Sequence, residues 1–176
     1  MALKSTIYKA ELTLTDMDRA YFQTHALTLA RHPSETDERL MIRLLAFAMY
    51  ASDRLQFSKD LSVDDEPALW EHQRNGDCDL WIELGLPDEK RLRRANHRAN
   101  QAVLFAYGKG MAIWLKEQQK VIQQLDKLQL VCVSPEDSLK LQALCQRNMQ
   151  LQFTFSEGDI FIHSEQGQID LELKRE

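Results

Sequence analysis

Between Asp77 and Tyr107 the hydrophobic pattern changes period twice. In "CDLWIELGL" (78–86), Cys78, Leu80, Ile82 and Leu84 alternate with Asp79, Trp81 and Glu83, and Gly85 and Pro87 end the run. Alternation of that kind predicts a strand, with Asp77, Asp79, Trp81 and Glu83 sharing one face. From Asp88 the period becomes 3.6: Leu92, Ala95 and Ala99 form a narrow apolar stripe, opposite Lys90, Arg91, Arg93, Arg94, His97 and Arg98. "AVLFAYG" (102–108) is then apolar enough for a buried strand. Strand, helix, strand in that succession predicts a right-handed crossover and parallel pairing.

The flanking segments fill in a mixed sheet with helices against it. Tyr8, Ala10, Leu12 and Leu14 alternate with polar residues, "TDMDR" turns, and "FQTHALTLAR" (22–31) reads as a second, antiparallel strand ended by His32-Pro33. Ser34 is the expected N-cap of a core helix running to about Ala51. "LQFSKDLSVDDEP" reads as a brief strand and a loop, and "ALWEHQ" as one helical turn. A helix over "KGMAIWLKEQQKVIQQL", a buried strand "LQLVCV" and a helix capped by Ser134 with Pro135 at its first position follow. "MQLQFTFS", "DIFIHS" and "IDLELK" make a C-terminal meander. The fold class is thus α/β (α+β): a mixed β-sheet flanked by helices, with antiparallel hairpins at both ends, in one domain spanning 1–176.

At 176 residues, 44% hydrophobic and 28% charged, the chain has the composition of a globular protein with a real core. A formal net charge of -5 argues against non-specific coating of nucleic acid while leaving room for a local basic site. No apolar run approaches the ~20 residues that span a bilayer, and the N-terminal stretch lacks the apolar core of a secretion signal. Cys78, Cys132 and Cys145 form no CxxC pair, and the five His form no HExxH pair. A reducing cytoplasm is the expected setting, with no membrane partner.

The acids of "GDCDLWIELG" admit two readings: the wet face of a half-exposed strand, or the lining of a cleft. At roughly 3.3 Å rise per residue, Asp79 and Glu83 lie about 13 Å apart, too far to share one ion unaided. A third carboxylate from elsewhere, or Asp77 beside Asp79, would be needed. Glu35 and Glu38 at the helix start suit the helix dipole, with a Glu35–Arg39 pair as their structural role. The basic face of "EKRLRRANHR" serves equally as a solvated helix side or as a track for phosphates.

The blocks "MALKSTIYKAELTLTDMDR", "TLARHPSETDERLMIRLLAFAMYASDRLQFSKDLSVDDEPALW" and "DLWIELGLPDEKRLRRA" resemble the YaeQ family of Gram-negative bacterial proteins, over essentially the whole chain. The resemblance implies a PD-(D/E)XK nuclease-like, restriction-endonuclease-like core. In that superfamily, carboxylates on neighbouring strands bind Mg²⁺, a Lys two residues on activates water, and a Glu from the preceding helix assists. Carried over, Asp79 and Glu83 are the strand carboxylates and Glu38 or Glu35 the helical one, holding Mg²⁺ or Mn²⁺. The chain departs from the pattern at Gly85, which stands where the Lys is expected. Lys90, Arg93 and Arg94 of the next helix are the candidate replacements. The resemblance therefore implies a metal-dependent nuclease acting on nucleic acid phosphodiesters. The alternative is a catalytically degenerate relative that binds nucleic acid or protein as a regulatory module.

Overall fold

A computed structural model describes residues 4–59 and 65–176. Residues 1–3, part of the stretch read for a secretion signal, and 60–64, part of the expected loop, lie outside the described residues. The chain divides into two compact units: 1–44 with 136–172, and 45–135 with 173–176.

In the first unit β1 (Thr6–Asp16) and β2 (Tyr21–Arg31) form the expected hairpin, with Thr6 opposite Arg31 and Asp16 opposite Tyr21. The C-terminal meander, β8 (Asn148–Ser156), β9 (Asp159–Ser164) and β10 (Gly167–Leu171), is also present. The two hairpin systems join each other: β1 pairs in parallel with β8, giving the order β10-β9-β8-β1-β2. The period-2 patterns explain why. Tyr8, Ala10, Leu12 and Leu14 of β1 and Met149, Leu151, Phe153 and Phe155 of β8 are all buried, so side-by-side pairing makes one continuous apolar face.

The helix α1 (Asp37–Tyr50) begins in this unit and is buried along nearly its whole length, as its apolar girth predicts. Its cap is not Ser34. Thr36 Oγ1 accepts from the Arg39 amide at 3.1 Å, whereas the Ser34 hydroxyl bonds His32 Nδ1 at 2.6 Å in the turn before it. The His32-Pro33 turn delays the helix start, so a hydroxyl two residues on does the capping.

The second unit holds the sheet β11-β7-β6-β5-β4-β3, made from β3 (Gln56–Phe57), β4 (Leu69–His72), β5 (Cys78–Leu84), β6 (Ala99–Ala106), β7 (Leu128–Cys132) and β11 (Lys174–Arg175). The helices α2 (Glu89–Arg98) and α3 (Met111–Gln124) connect β5, β6 and β7, which run parallel as expected. The segment "ALWEHQ" is strand, not a helical turn. Leu69 is fully buried opposite Ile82, and pairing along β5 outweighs the weak local preference of four residues. Leu92 of α2, Leu104 of β6, Trp114 of α3 and Leu130 of β7 pack into one core cluster. Among the described residues the strands therefore distribute over two mixed sheets rather than one, with four helices, counting α4 (Pro135–Gln142).

Candidate functional site

The end of β5 and the first turn of α2 are built around one carboxylate. Glu83 is 4% exposed. Its Oε1 accepts from Trp81 Nε1 at 2.8 Å and its Oε2 from Arg91 Nε at 2.8 Å. The Asp88 carboxylate caps α2 by accepting from the Arg91 amide at 2.8 Å, which fixes Arg91 in the first turn, facing back to the strand. Arg91 Nη2 also donates to the backbone carbonyl of Glu66, the residue before Pro67 at the entry to β4, at 2.8 Å. Glu66 Oε2 is buried and has no hydrogen-bond partner among the described residues. One guanidinium thus ties together Glu83 and the segment carrying a second, unsatisfied acid, both near the carboxyl end of β5. That end is where open α/β sheets bind ligands.

Asp79 belongs to a different cluster. His72 pairs with Cys78 and Glu71 with Leu80, which leaves Asp79 as the extra residue of a β-bulge. Strict alternation is broken there: Cys78, expected on the face of Leu80 and Ile82, packs against the cluster of Trp81, Ala95, Ala99 and Ala102. Asp79 accepts from Gln73 Nε2 at 2.6 Å and Asn100 Nδ2 at 2.8 Å, and pairs with Arg54 at 3.4 Å. The Gln73 and Asn100 amides, and then Arg54, hold the Asp79 carboxyl below its ordinary pKa. Arg54 also pairs with Glu71 at 2.9 Å and donates to the His72 carbonyl at 3.1 Å.

The remaining candidates, Lys90 apart, have structural partners. Arg93 pairs with Glu89 and Gln124 at 2.9 Å each, Arg94 pairs with Asp65 at 3.2 Å, and Lys90 is exposed. Glu35 and Glu38 lie in the other unit. Glu35 is buried between Arg39 at 2.5 Å, the expected pair, and Arg43 at 2.8 Å. Burial lowers the Arg43 pKa against the pull of Glu35. Glu38 accepts from Ser138 Oγ at 2.5 Å and Gln142 Nε2 at 3.4 Å. Among the described residues no three His, Cys, Asp or Glu side chains converge to hold a metal. Cys78, Cys132 and Cys145 are unbridged and half-buried, and burial raises each thiol, that of Cys145 to about 11.

Arg91 and Glu66 were not singled out by the sequence as site residues. The signal for Arg91 is its place three residues after the Asp88 cap. The signal for Glu66 is an acid before a proline at a strand entry, legible only once "ALWEHQ" is known to be β4.

The architecture is that of an α+β protein, with two mixed sheets flanked by four helices among the described residues. The chain belongs to the YaeQ family, whose model, "YaeQ protein", matches residues 1–173. It is 44% identical over 174 residues to the uncharacterised protein YaeQ of Escherichia coli (strain K12), covering 98% of this chain and 96% of that one. The YaeQ protein of Salmonella typhi is likewise 44% identical over 174 residues, with the same coverage. The crystal structure of YaeQ from Xanthomonas axonopodis pv. citri superposes with a TM-score of 0.93 at 43% identity, covering 97% of each chain. That of YaeQ from Pseudomonas syringae gives 0.92 at 37% identity, covering 97% of this chain and 95% of that one. Among the described residues no helix is long and apolar enough to cross a membrane.

Proposed function

We propose that the chain is a cytoplasmic, PD-(D/E)XK-like nuclease that engages nucleic acid phosphodiesters through Mg²⁺ or Mn²⁺. The observation that carries this reading is the Glu83–Arg91–Glu66 arrangement: Arg91 bonds the Glu83 carboxylate at the end of β5 and the backbone carbonyl of Glu66, whose own acid lies at the entry to β4. The donor set fits a hard cation. Each Glu83 oxygen accepts one hydrogen bond and keeps a lone pair, and the buried Glu66 Oε2 has no partner among the described residues. Mg²⁺ usually takes only one or two protein carboxylates and keeps several waters, so the absence of a third acid from the cluster is no obstacle. The bound ion would lower the pKa of a water and neutralise charge on the phosphate oxygens.

The chain's own residues do the rest. Glu83 is held in one orientation by Trp81 and Arg91, which is what precise positioning demands. Arg91 supplies the positive charge that Gly85 cannot. Gly85 has φ +106°, a conformation that strains a lysine, so the cation comes from the adjoining helix. Of the residues first expected to act, Lys90, Arg93 and Arg94 lie on the same helix as Arg91 and are candidates for orienting the substrate, while Asp79 sits in a separate cluster.

Incubation with single-stranded DNA, duplex DNA and RNA, in Mg²⁺, Mn²⁺ or EDTA, tests the reading. The expected result is metal-dependent products that fall by about two orders of magnitude in Glu83→Gln. Identical products from wild type and Glu83→Gln would remove the enzyme. Mn²⁺ binding read by electron paramagnetic resonance should be lost in the same variant. One observation favours the second reading, a binding module without turnover: Glu83 is already neutralised by Arg91. Salt-sensitive binding with no cleavage by any variant would establish it.

A further inference from the structure

A groove of about 420 Å³ lies at the amino ends of β5 and β6, lined by Trp70, His72, Trp81, His97, Arg98 and Lys127 among others. Trp81 is its buried floor, and the same indole bonds Glu83. Trp70 is half-buried and fixed by edge-on contacts, 4.6 Å from His72 and 6.1 Å from Trp81 between ring centroids.

The cations at the rim differ from their neighbours. Arg91, Arg93 and Arg94 of the same helix each face a carboxylate. Arg98, Lys127 and His97 are exposed, and among the described residues none of their side chains has an ion-pair partner. Lys127 is nevertheless held in place, since its amide donates to Asn96 Oδ1 at 2.9 Å and its carbonyl accepts from Ala102 at 3.0 Å. Asp77 is the one acid in the described lining, and it is turned to a local bond with Asn75 at 3.0 Å.

Resting on the nucleic-acid reading above, we propose that this groove takes one unpaired nucleotide of a single strand. Its base lies against Trp70 and its phosphate between Arg98 and Lys127. Ring stacking on an indole needs a free π-face, which an unpaired base offers and a base inside a duplex does not. Exposed cations without carboxylate partners are available to phosphate at no cost in broken ion pairs. The volume is that of a small-ligand site rather than a channel for a duplex.

The test is a fluorescence titration of the full chain, in EDTA, with a labelled oligothymidylate and with a duplex of equal length. Working without metal makes the result independent of hydrolysis, so the groove and the nuclease reading fail separately. Expected are tighter binding of the single strand than of the duplex, quenching of tryptophan emission, and at least roughly tenfold weaker binding by the Arg98→Glu, Lys127→Glu double variant. The slope of log affinity against log salt should also flatten by about 1.4, the value for two lost contacts to a single strand. Both positions are exposed, and an unchanged melting temperature checks the fold. Trp70→Leu should weaken single-strand binding by a further ~5-fold or more. The proposal is overturned by absence of binding, by equal affinity for the duplex, by an unaffected double variant, or by poly-glutamate competing as well as the oligonucleotide.

Discussion

Glu83 is a buried charge whose ion partner is Arg91, 28% exposed at its side chain. Removing one member of such a pair strands the other. Arg91→Ala should therefore cost about 2–3 kcal/mol in urea unfolding, below the full penalty for a wholly buried pair because water reaches Arg91. A loss under ~0.5 kcal/mol would mean that the pair is ornamental. Asp79 behaves differently. Its carboxyl is held below the unfolded value of about 3.9, so its stabilisation is fully present above that pH and disappears as pH falls through the depressed value. Asp79→Asn should be less stable than wild type at neutral pH, and the two stability curves should converge below about pH 4; a constant gap would contradict the assignment. Sequence alternation placed Asp79 and Glu83 on one face, and the bulge at Asp79 is why that failed. An extra residue in one strand leaves no mark in period-2 patterning, because it depends on the partner strand. Glu35 was legible in part: its link to Arg39 follows from helical spacing, whereas Arg43 reaches it only because the turn folds Glu35 back.

The elements around the site are set by a few backbone positions. Gly85 ends β5 at φ +106°, and a Cβ built there would meet no atom within 4 Å. The cost of Gly85→Ala is thus purely conformational, about 1–3 kcal/mol by chemical denaturation. A neutral outcome would show that the turn can relax, and would reopen this position to a lysine. Asp88→Ala should cost about 1 kcal/mol through loss of the α2 cap, and it should also loosen Arg91 from Glu83. The β5–α2–β6 crossover was legible because two changes of period fall within thirty residues and each lies on a strongly patterned segment. The four residues of β4 were not, because "LWEH" has no period of its own and takes its conformation from β5.

At the scale of the whole molecule, a cation held at Glu83 and Glu66, as proposed, would stabilise the folded chain by mass action. At ten times its dissociation constant, Mn²⁺ should add about 1.4 kcal/mol to wild type and nothing to Glu83→Gln, read as a shift in melting temperature. Equal shifts in both would place the metal elsewhere. Helices, strands and hairpins were readable along the chain, but their assembly into two sheets was not. Local patterning names a buried face and does not name the strand that will lie beside it. The junction of β1 with β8 is the clearest case, since Lys9 lies opposite Asn148. That junction has a consequence for biosynthesis. The β1–β2 hairpin emerges from the ribosome early, but its parallel neighbour is not translated until well over a hundred residues later. At about 5–20 residues per second the wait is on the order of ten seconds, with Leu12 and Leu14 lacking their final cover. A nascent chain in that condition exposes an apolar strand face that is prone to aggregation until translation is nearly complete.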